Sequence, residues 1–367
     1  MDRIGETVLE IHLDALAHNY NYLKSKLLPE TKFMAVVKAF AYGSDMVTIA
    51  KKMENLGADY FAVAYVKEGV LLREAGITTP ILVLHPLPVN FEQLIAHQLE
   101  PSLYSPKILT EFLKTAQENN LEDYPVHIKF NTGLNRLGFW ENDVDHISKQ
   151  LQNRNEIKVT AILSHLAASE DPNEKKFSDT QIETFKKISA ALDEKLGYRP
   201  FRHVLNTSGI INYPDAQFEM VRSGIGLYGY GNSADEDVHL RPVAQLKTII
   251  SQLHKIEPGE TVGYNRAFSA NTPRISATLP LGHADGIGRQ YGHGKGHVLV
   301  KGQKAPIIGN VCMDMIMVDV TGIDCAEGDE ALVFGAEHSA DTFASSGQTI
   351  SYEILTAISQ RIRRIIK

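Results

Sequence analysis

The sequence predicts an α/β fold, a (β/α)₈ barrel of the TIM type followed by a C-terminal domain that is mainly β. Eight short apolar runs alternate with amphipathic segments between about residues 30 and 230. After about residue 240 the chain consists of short strand-like runs broken by Gly or Pro. A chain of 367 residues is too long for one ordinary domain. We therefore expect a barrel over 8–240 and a β-rich domain over 241–367. The first few N-terminal residues are expected to belong to the β-rich domain.

The barrel strands are predicted from continuous apolar runs, which are typical of parallel strands buried on both faces. They are KFMAVVK (32–38), YFAVAY (60–65), PILVLH (80–85), LEPSLY (99–104), PVHIKF (125–130), KVTAILSH (158–165), FRHVLN (201–206) and FEMVR (218–222). Eight such units with short connections indicate a closed barrel. In this fold the carboxyl ends of the strands carry the chemistry.

Two barrel helices are predicted from apolar residues at helical spacing. The first is expected to be capped by Asp14, and the second to end at Gly197, where glycine suits the residue after the last turn. Their apolar faces consist of Leu16, Tyr20, Leu23 and Leu27 in the first helix, and of Ile182, Phe185, Ile188 and Leu192 in the second.

The second domain is predicted from short apolar runs that end at turn residues. The runs are VAQLKTIISQLHKI (243–256), ISATLPLG (275–282), HVLVKG (297–302), KAPIIG (304–309), VCMDMIMVDV (311–320) and EALVFG (330–335). A helix is expected from Tyr352 to Ile366.

The bulk composition excludes several classes of protein. Apolar residues make up 43% and charged residues 22%, as in a globular protein, and the net charge of −7 argues against a nucleic-acid partner. No apolar run approaches the length of a membrane span, and the N-terminus has no signal-peptide core. The two cysteines, Cys312 and Cys325, favour a reducing cytosol. His293 and His297 lie in a Gly-rich loop without a neighbouring carboxylate or thiol, so no metal site is predicted.

Lys38 ends the first barrel strand, in AVVKAFAYGSD (35–45). A lysine at this rim can form a Schiff base with an aldehyde cofactor, although a single lysine at a strand end is more often a solvated one. The surrounding residues favour the first interpretation, because the segment resembles the cofactor-lysine motif of alanine racemases. Phe40 stands where that family usually has Asn.

Further motifs resemble this family in the family's order, from about residue 7 to residue 365. They are HIKFNTGLNRLGF (127–139), SHLAASED (164–171), HVLNTSG (203–209), MVRSGIGLYGYG (220–231), GYNRAF (263–268), LGHADGIGR (281–289), VCMDMIMVDV (311–320) and SYEIL (351–355). Single motifs are weak, but so many in order across both domains are specific. Asn131, Asn135 and His283 depart from the family pattern of Asp, Gly and Tyr.

The resemblance implies a fold type III enzyme that interconverts L- and D-alanine on pyridoxal 5′-phosphate and supplies D-alanine for peptidoglycan. Lys38 would hold the cofactor as an imine and act as the base on one face of the substrate. Tyr264 would act on the other face, since racemisation removes a proton from one side and returns it on the other. In the family these two residues meet only across a homodimer interface.

The resemblance also assigns the cofactor contacts. Tyr42, Tyr352, Asn206 and Thr207 would hold the phosphate together with the backbone N–H groups of Gly224 and Ile225, as at a helix N-terminus. The remaining assignments are His165 packed on the cofactor ring, Arg222 facing its pyridine nitrogen, and Arg136 bound to its phenolic oxygen and to the substrate carboxylate.

Four residues are assigned supporting roles. Lys129 matches a lysine that is often carbamylated, which requires a neutral amine and hence a pKa depressed by burial. The N–H of Met313 would bind the substrate carboxylate, Asp314 would shape the mouth of the site, and Arg266 would lower the pKa of Tyr264.

The role assigned to Arg222 also predicts the protonation state of the cofactor's ring nitrogen. Guanidinium has only donors and keeps its proton, so the ring nitrogen must accept and is unprotonated. An unprotonated ring is a weaker electron sink, which favours reprotonation at the substrate over transamination. We expect Arg222→Glu to raise the share of transamination.

Other functions remain open at this stage. Gly224, Gly226 and Gly229 have the GxGxxG spacing of dinucleotide-binding loops, but no βαβ unit follows them. A racemase for serine or for a broader set of amino acids fits the motifs as well. A barrel-type decarboxylase would lack Tyr264 and usually carries an acidic partner at the ring nitrogen. A non-catalytic cofactor-binding protein would not need both bases.

Overall fold

The computed structural model describes residues 5–367 and contains two large β-sheets and one small one. The strands are β1 Val8–Ile11, β2 Lys32–Val36, β3 Tyr60–Val63, β4 Ile81–Val83, β5 Glu100–Leu103, β6 Tyr124–Lys129, β7 Ile157–Leu163, β8 Phe201–His203, β9 Met220–Ser223, β10 Ala244–Ile249, β11 Gln252–Ile256, β12 Thr261–Val262, β13 Phe268–Ser269, β14 Arg274–Leu279, β15 His297–Val300, β16 Gln303–Ile308, β17 Ile316–Asp319, β18 Glu330–Phe334 and β19 Arg363–Ile366.

The helices lie mainly between the strands of the first large sheet. They are α1 Leu13–Lys24, α2 Lys38–Tyr42, α3 Met46–Asn55, α4 Val66–Glu74, α5 Phe91–Ala96, α6 Pro106–Glu118, α7 Val144–Leu151, α8 Lys175–Leu196, α9 Thr207–Asn212, α10 Ala234–Asp237, α11 Ala340–Ser346 and α12 Ser351–Ala357. Short 3₁₀ turns add Pro88–Asn90, Glu141–Asp143, Pro172–Glu174, Pro214–Ala216, Ile225–Tyr228, Tyr264–Arg266, His283–Asp285 and Arg289–Tyr291. Within residues 5–367, no helix combines the length and the apolar character that a membrane span needs.

The predicted barrel is confirmed. Strands β2 to β9 pair in parallel in the order β8-β7-β6-β5-β4-β3-β2-β9, and each of the eight predicted runs overlaps one of them. The ring is nearly closed between β9 and β8, where the backbone N–H of Arg222 donates to the carbonyl of Leu205 at 3.1 Å. The apolar runs are buried as predicted, because the barrel interior covers one face and the helices cover the other.

The second large sheet has nine strands in the order β11-β14-β17-β16-β15-β18-β10-β1-β19. Strand β1 pairs antiparallel with β10 and parallel with β19. Residues 8–11 therefore belong to this sheet, whereas the sequence-based boundary assigned them to the barrel, which begins with α1. Residues 8–11 and 363–366 thus lie beside each other in the mainly β domain.

Two local predictions from the sequence are wrong. The helix expected from Tyr352 to Ile366 ends at Ala357, since Ile358 is extended and residues 363–366 form β19, where pairing with β1 outweighs the helical spacing. The cap of α1 is His12, not Asp14, whose carboxylate lies in the first turn near the positive end of the helix dipole. The prediction for α8 is confirmed, since its apolar face is buried and Gly197 follows its last residue with φ +75°.

A left-handed turn follows β2. Residues Ala39, Phe40, Ala41 and Tyr42 all have φ of +53° to +54°, so the segment α2 winds opposite to an ordinary helix. This conformation costs about 1–2 kcal/mol per L-residue and persists only where its surroundings impose it. The carboxylate of Glu68 on α4 accepts hydrogen bonds from the backbone N–H groups of Ala39 at 2.6 Å and Ala64 at 2.7 Å. The turn is thereby held at the mouth of the barrel.

The C-terminal segment packs on the end of this turn. A Cβ added to Gly43, which has φ +77°, would collide with the carbonyl oxygen of Leu355 on α12. The guanidinium of Arg364 on β19 donates to the carbonyls of Gly43 at 2.8 Å and Ser44 at 3.3 Å. The mainly β domain therefore fixes the position of the turn in the barrel.

We expect Gly43→Ala to lower the free energy of unfolding by about 2–4 kcal/mol, because the new methyl group meets a carbonyl in a left-handed backbone. Gly57→Ala is the matched control, since Gly57 also has a positive φ of +87° but no heavy atom lies within 4 Å of the added carbon. It should cost about 1 kcal/mol. Denaturant unfolding followed by circular dichroism measures both, and equal losses would contradict the close approach to α12.

Candidate active site

A cavity of about 530 Å³ opens at the carboxyl ends of the barrel strands. The residues that the sequence assigns to the cofactor and to the barrel side of the site all line it. They are Lys38, Tyr42, Lys129, Arg136, His165, Asn206, Thr207, Arg222, Gly224, Ile225 and Tyr352, joined by Val36, Ala64, Tyr65, Leu84, His85, Leu137, Leu163 and Ser164. The structure thus brings together residues from β2, α2, β6, β7, α9, β9 and α12 and from the loops between them.

The lining is strongly cationic. It contains Lys38, Lys129, Arg136 and Arg222, and none of its residues is an Asp or Glu. Burial lowers the pKa of Lys38, and the nearby Arg136 lowers it further. Burial and the charges of Arg136, Arg222 and Lys38 lower the pKa of Lys129 to about 8. The cavity therefore favours bound anions and amines that lose their protons readily.

Arg222 lies at the floor of the cavity. Its Nη1 donates to the backbone carbonyl and to Nδ1 of His203, at 2.9 and 2.7 Å. Its Nη2 donates to the carbonyls of Ser164 at 2.7 Å and Val204 at 3.1 Å, and to Nδ1 of His165 at 3.0 Å. Within residues 5–367 no protein acceptor binds Nε–H, so this donor remains for a ligand. Burial lowers the pKa of Arg222 to about 9, and the guanidinium is still charged at neutral pH.

His165 is neutral in this environment. Burial and the cation of Arg222 lower its pKa well below the usual value. Because Nδ1 accepts from Arg222, the ring proton lies on Nε2. An uncharged imidazole at the wall of the cavity offers a flat surface for an aromatic ring.

One end of the cavity is lined by backbone N–H groups. Those of Thr207, Gly224 and Ile225 donate to no protein acceptor in the described part of the chain. Asn206 caps α9, since its Oδ1 accepts from the N–H of Gly209 at 3.0 Å. A Cβ at position 224 would collide with the hydroxyl of Tyr42, so glycine is required there by close approach. This end is suited to a phosphate group.

Two tyrosine hydroxyls complete that end. The ring of Tyr42 stacks on Tyr228 with centroids 4.4 Å apart, and the ring of Tyr352 lies 6.0 Å away. The amide of Asn232 donates to the Tyr352 hydroxyl at 3.4 Å. Burial raises the pKa of Tyr352 to about 12, so the group remains a neutral hydrogen-bond donor.

The loop that carries Arg136 contains two of the departures from the family pattern, and they pair with each other. Asn131 Nδ2 donates to Asn135 Oδ1 at 2.8 Å, while its Oδ1 accepts from the N–H groups of Gly133 and Asn135. Asn135 has φ +56°, a conformation that favours glycine but that asparagine tolerates. The asparagine at position 131 therefore compensates for the missing glycine, and the loop presents Arg136 to the cavity.

Tyr264, Arg266, Met313 and Asp314 lie apart from the cavity in this chain. Tyr264, 74% exposed, and Met313, 59% exposed, line a separate groove on the mainly β domain with Asp314. The Nε of Arg266 donates to Thr261 at 3.3 Å, and Asp314 accepts from Arg361 at 2.6 Å. One chain therefore does not bring Lys38 and Tyr264 together.

The histidines of the second domain have other contacts. His283 lies beside the groove, where its backbone N–H donates to the carbonyl of Cys312 at 2.9 Å. The ring of His297 lies 4.4 Å from that of His338, while Nε2 of His293 lies 3.2 Å from Oδ1 of Asn310.

Glu68, His85 and the polar side chains inside the barrel were not predicted from the sequence. Glu68 supports the turn at Lys38, and His85 lines the cavity at the end of the run PILVLH. Buried Glu100, His127 and His203 lie below the cavity. The signal for these last three was present, since each is a polar residue within an otherwise apolar strand.

The same two-domain organisation occurs in known proteins. Residues 11–232 match the family model "Alanine racemase, N-terminal domain", and residues 243–366 match "Alanine racemase, C-terminal domain". The alanine racemase of Halothermothrix orenii is 37% identical over 98% of this chain and 97% of its own length.

Solved structures agree with this match. The alanine racemase of Clostridium difficile 630 superposes with a TM-score of 0.92 at 34% identity, covering 100% of this chain and 97% of that one. The alanine racemase of Bartonella henselae with covalently bound pyridoxal phosphate gives a TM-score of 0.91 at 29% identity, covering 99% and 100%. Fold, cationic cavity and both domain matches agree, and this chain belongs to the alanine racemase family of pyridoxal-phosphate-dependent isomerases.

Proposed function

We propose that this chain interconverts L- and D-alanine, with Lys38 of one subunit and Tyr264 of a second copy as the two bases. The observation that carries the proposal is the cavity itself, where an amine of lowered pKa, unpaired backbone donors and a free guanidinium N–H converge. A reducing, cytosolic location is part of the proposal and is supported by the free thiols of Cys312 and Cys325.

The residues present fit pyridoxal 5′-phosphate. The N–H groups of Thr207, Gly224 and Ile225 suit its phosphate, and the glycine at 224 leaves space that a side chain would fill. The free Nε–H of Arg222 suits an accepting ring nitrogen. Lys38, which lines the same cavity, suits the covalent link. When bound, the cofactor withdraws electrons from the substrate and makes its Cα proton acidic.

Lys38 handles the proton on one face of the substrate. Burial and the charges of Arg136 and Arg222 favour its neutral amine, which is the form that accepts a proton. The left-handed turn fixes the backbone on which this amine is mounted. Arg136 can bind the substrate carboxylate in a bidentate geometry and so hold the Cα–H bond toward the base.

Arg222 limits how far negative charge spreads into the ring. It presents only donors, so the ring nitrogen it faces must accept and stay unprotonated. With Arg222 in this role, negative charge would stay closer to the substrate carbon. This arrangement favours racemisation over transfer of the amino group.

The second base requires a second copy of the chain. Tyr264 and Met313 are exposed together in an apolar groove, outside the cavity that holds Lys38. An exposed tyrosine beside exposed methionines is typical of a surface that a partner covers. A two-fold dimer in which this groove faces the partner's cavity supplies the phenol opposite Lys38.

The substrate test uses the purified, cofactor-loaded protein with L-alanine, L-serine and L-lysine separately. We expect loss of optical rotation with L-alanine, exchange of Cα hydrogen for solvent deuterium and no release of carbon dioxide, because the two bases exchange protons at Cα only. Faster loss with L-serine would assign a serine racemase. Carbon dioxide from L-lysine would assign a decarboxylase.

The shared site is tested by mixing two inactive variants, Lys38→Ala and Tyr264→Phe. Each should lose about 10²–10⁴-fold or more in activity. After subunit exchange at equal amounts, half of the dimers are mixed and each contains one intact site, so about a quarter of wild-type activity should return. Exchange is followed with differently tagged subunits. No recovery despite proven exchange would place both bases in one chain.

Lys129 should carry a carbamate. Its pKa is lowered to about 8, so the neutral amine that reacts with carbon dioxide increases as the pH rises from 7 to 9. Protein prepared in ¹³C-bicarbonate should show a carbamate carbon signal that grows over this range. The signal should be missing from Lys129→Ala, whereas Lys187→Ala, which changes a lysine on the outer helix α8, is the control and should retain it. A spectrum without the signal at pH 9 would show that Lys129 is not carbamylated.

A further inference from the structure

A chain of hydrogen bonds crosses the barrel interior below the cavity. It begins at Glu100 on β5, passes through His127 on β6 and His203 on β8, and ends at Arg222 on β9. Glu100 Oε2 lies 2.8 Å from His127 Nε2, His127 Nδ1 lies 3.2 Å from His203 Nε2, and His203 Nδ1 lies 2.7 Å from Arg222 Nη1. All four side chains are buried.

The cationic end of the chain determines where each proton lies. Arg222 can only donate, so Nδ1 of His203 must accept and its proton is on Nε2. That proton is donated to Nδ1 of His127, whose own proton must then be on Nε2. From there it is donated to Glu100, whose carboxylate accepts. Burial and the charge of Arg222 lower the pKa of His203 well below its usual value, consistent with a neutral ring.

We propose that Glu100 is a positioning residue for Arg222, supplying through two neutral imidazoles the buried negative charge that balances the guanidinium and fixes its orientation toward the cofactor ring. The proposal rests on the function proposed for Arg222 above. A buried cation without a counter-charge is strongly destabilised, and the residues lining the cavity include no carboxylate. Glu100 is the carboxylate to which the hydrogen bonds lead.

Other charged groups surround both ends of the chain. Arg222 shares the cavity with Arg136, Lys38 and Lys129, and the charge of Arg136 adds to burial in lowering its pKa. Near Glu100, the guanidinium of Arg73 donates to the carbonyls of Ile77, Thr79, His97 and Gln98 and makes no direct bond to the carboxylate. The direct partner of Glu100 is therefore His127.

The first test observes the protons in the unmodified holoenzyme. Protein labelled with ¹⁵N-histidine is examined by NMR at neutral pH, and the signals are assigned by loss in His127→Gln and His203→Gln. We expect both rings to be neutral with the proton on Nε2. A proton on Nδ1 of either ring, or a doubly protonated ring, would overturn the proposed direction of the chain.

The second test removes the charge but keeps the hydrogen bond. In Glu100→Gln the amide oxygen can still accept from His127, so folding should be preserved. We expect kcat to fall about tenfold, as when outer partners of metal-bound histidines are removed, while KM for alanine stays near its wild-type value because Arg136 is unchanged. The visible absorption band of the bound cofactor should shift.

The matched control is Glu10→Gln. Glu10 is also buried and accepts from Lys247 at 2.9 Å, but it lies in the nine-stranded sheet, away from Arg222. This variant should keep kcat and the absorption band of the wild type. Unchanged kcat and band in Glu100→Gln, or the same loss in both variants, would overturn the role of Glu100.

Arg222→Glu separates this inference from the proposed function. It should shift the absorption band and raise the share of turnovers that end in transamination. If it changes neither, the proposed role of Arg222 fails, and with it the inference. If Arg222→Glu changes the absorption band and the share of transamination, while Glu100→Gln leaves kcat and the band unchanged, only the role of Glu100 fails.

Discussion

The accumulation of positive charge at the barrel mouth is the constraint on which the rest of the site depends. Lys38, Lys129, Arg136 and Arg222 share a cavity whose lining residues include no carboxylate. Such a group is stable only if anions enter it or its amines give up protons. A phosphate, a substrate carboxylate and the proposed carbamate on Lys129 would each reduce the charge. The same field that would recruit these anions also lowers the pKa of Lys38.

The backbone conformation next to Lys38 is also energetically unfavourable. The left-handed turn from Ala39 to Tyr42 is unfavourable for each residue in it. It nevertheless directly follows Lys38 and carries the hydroxyl of Tyr42. Glu68 holds its start, while Arg364 and α12 hold its end. Because these contacts come from α4, from α12 and from β19, both domains contribute to stabilising the turn.

The sequence predicted the barrel because its strands are buried on both faces, so their apolar runs are continuous and easily recognised. It failed at Tyr352–Ile366, where a helical spacing was overridden by pairing of β19 with β1, more than 350 residues away. The cavity residues were found through motifs, since strand ends converge in any barrel. The left-handed turn and the contacts of Glu68 could not be predicted, because they depend on distances between distant segments.

The departures at positions 131 and 135 show how a site can keep its geometry while its sequence changes. Asn135 takes the left-handed conformation that glycine would adopt, and Asn131 binds both its amide and its backbone N–H. Replacing a carboxylate by an amide at position 131 also removes a negative charge near Arg136 and Lys129. Fewer fixed anions then remain near the mouth, so the proposed carbamate on Lys129 and the proposed counter-charge of Glu100, reached through His203 and His127, would matter more for Arg136 and Arg222.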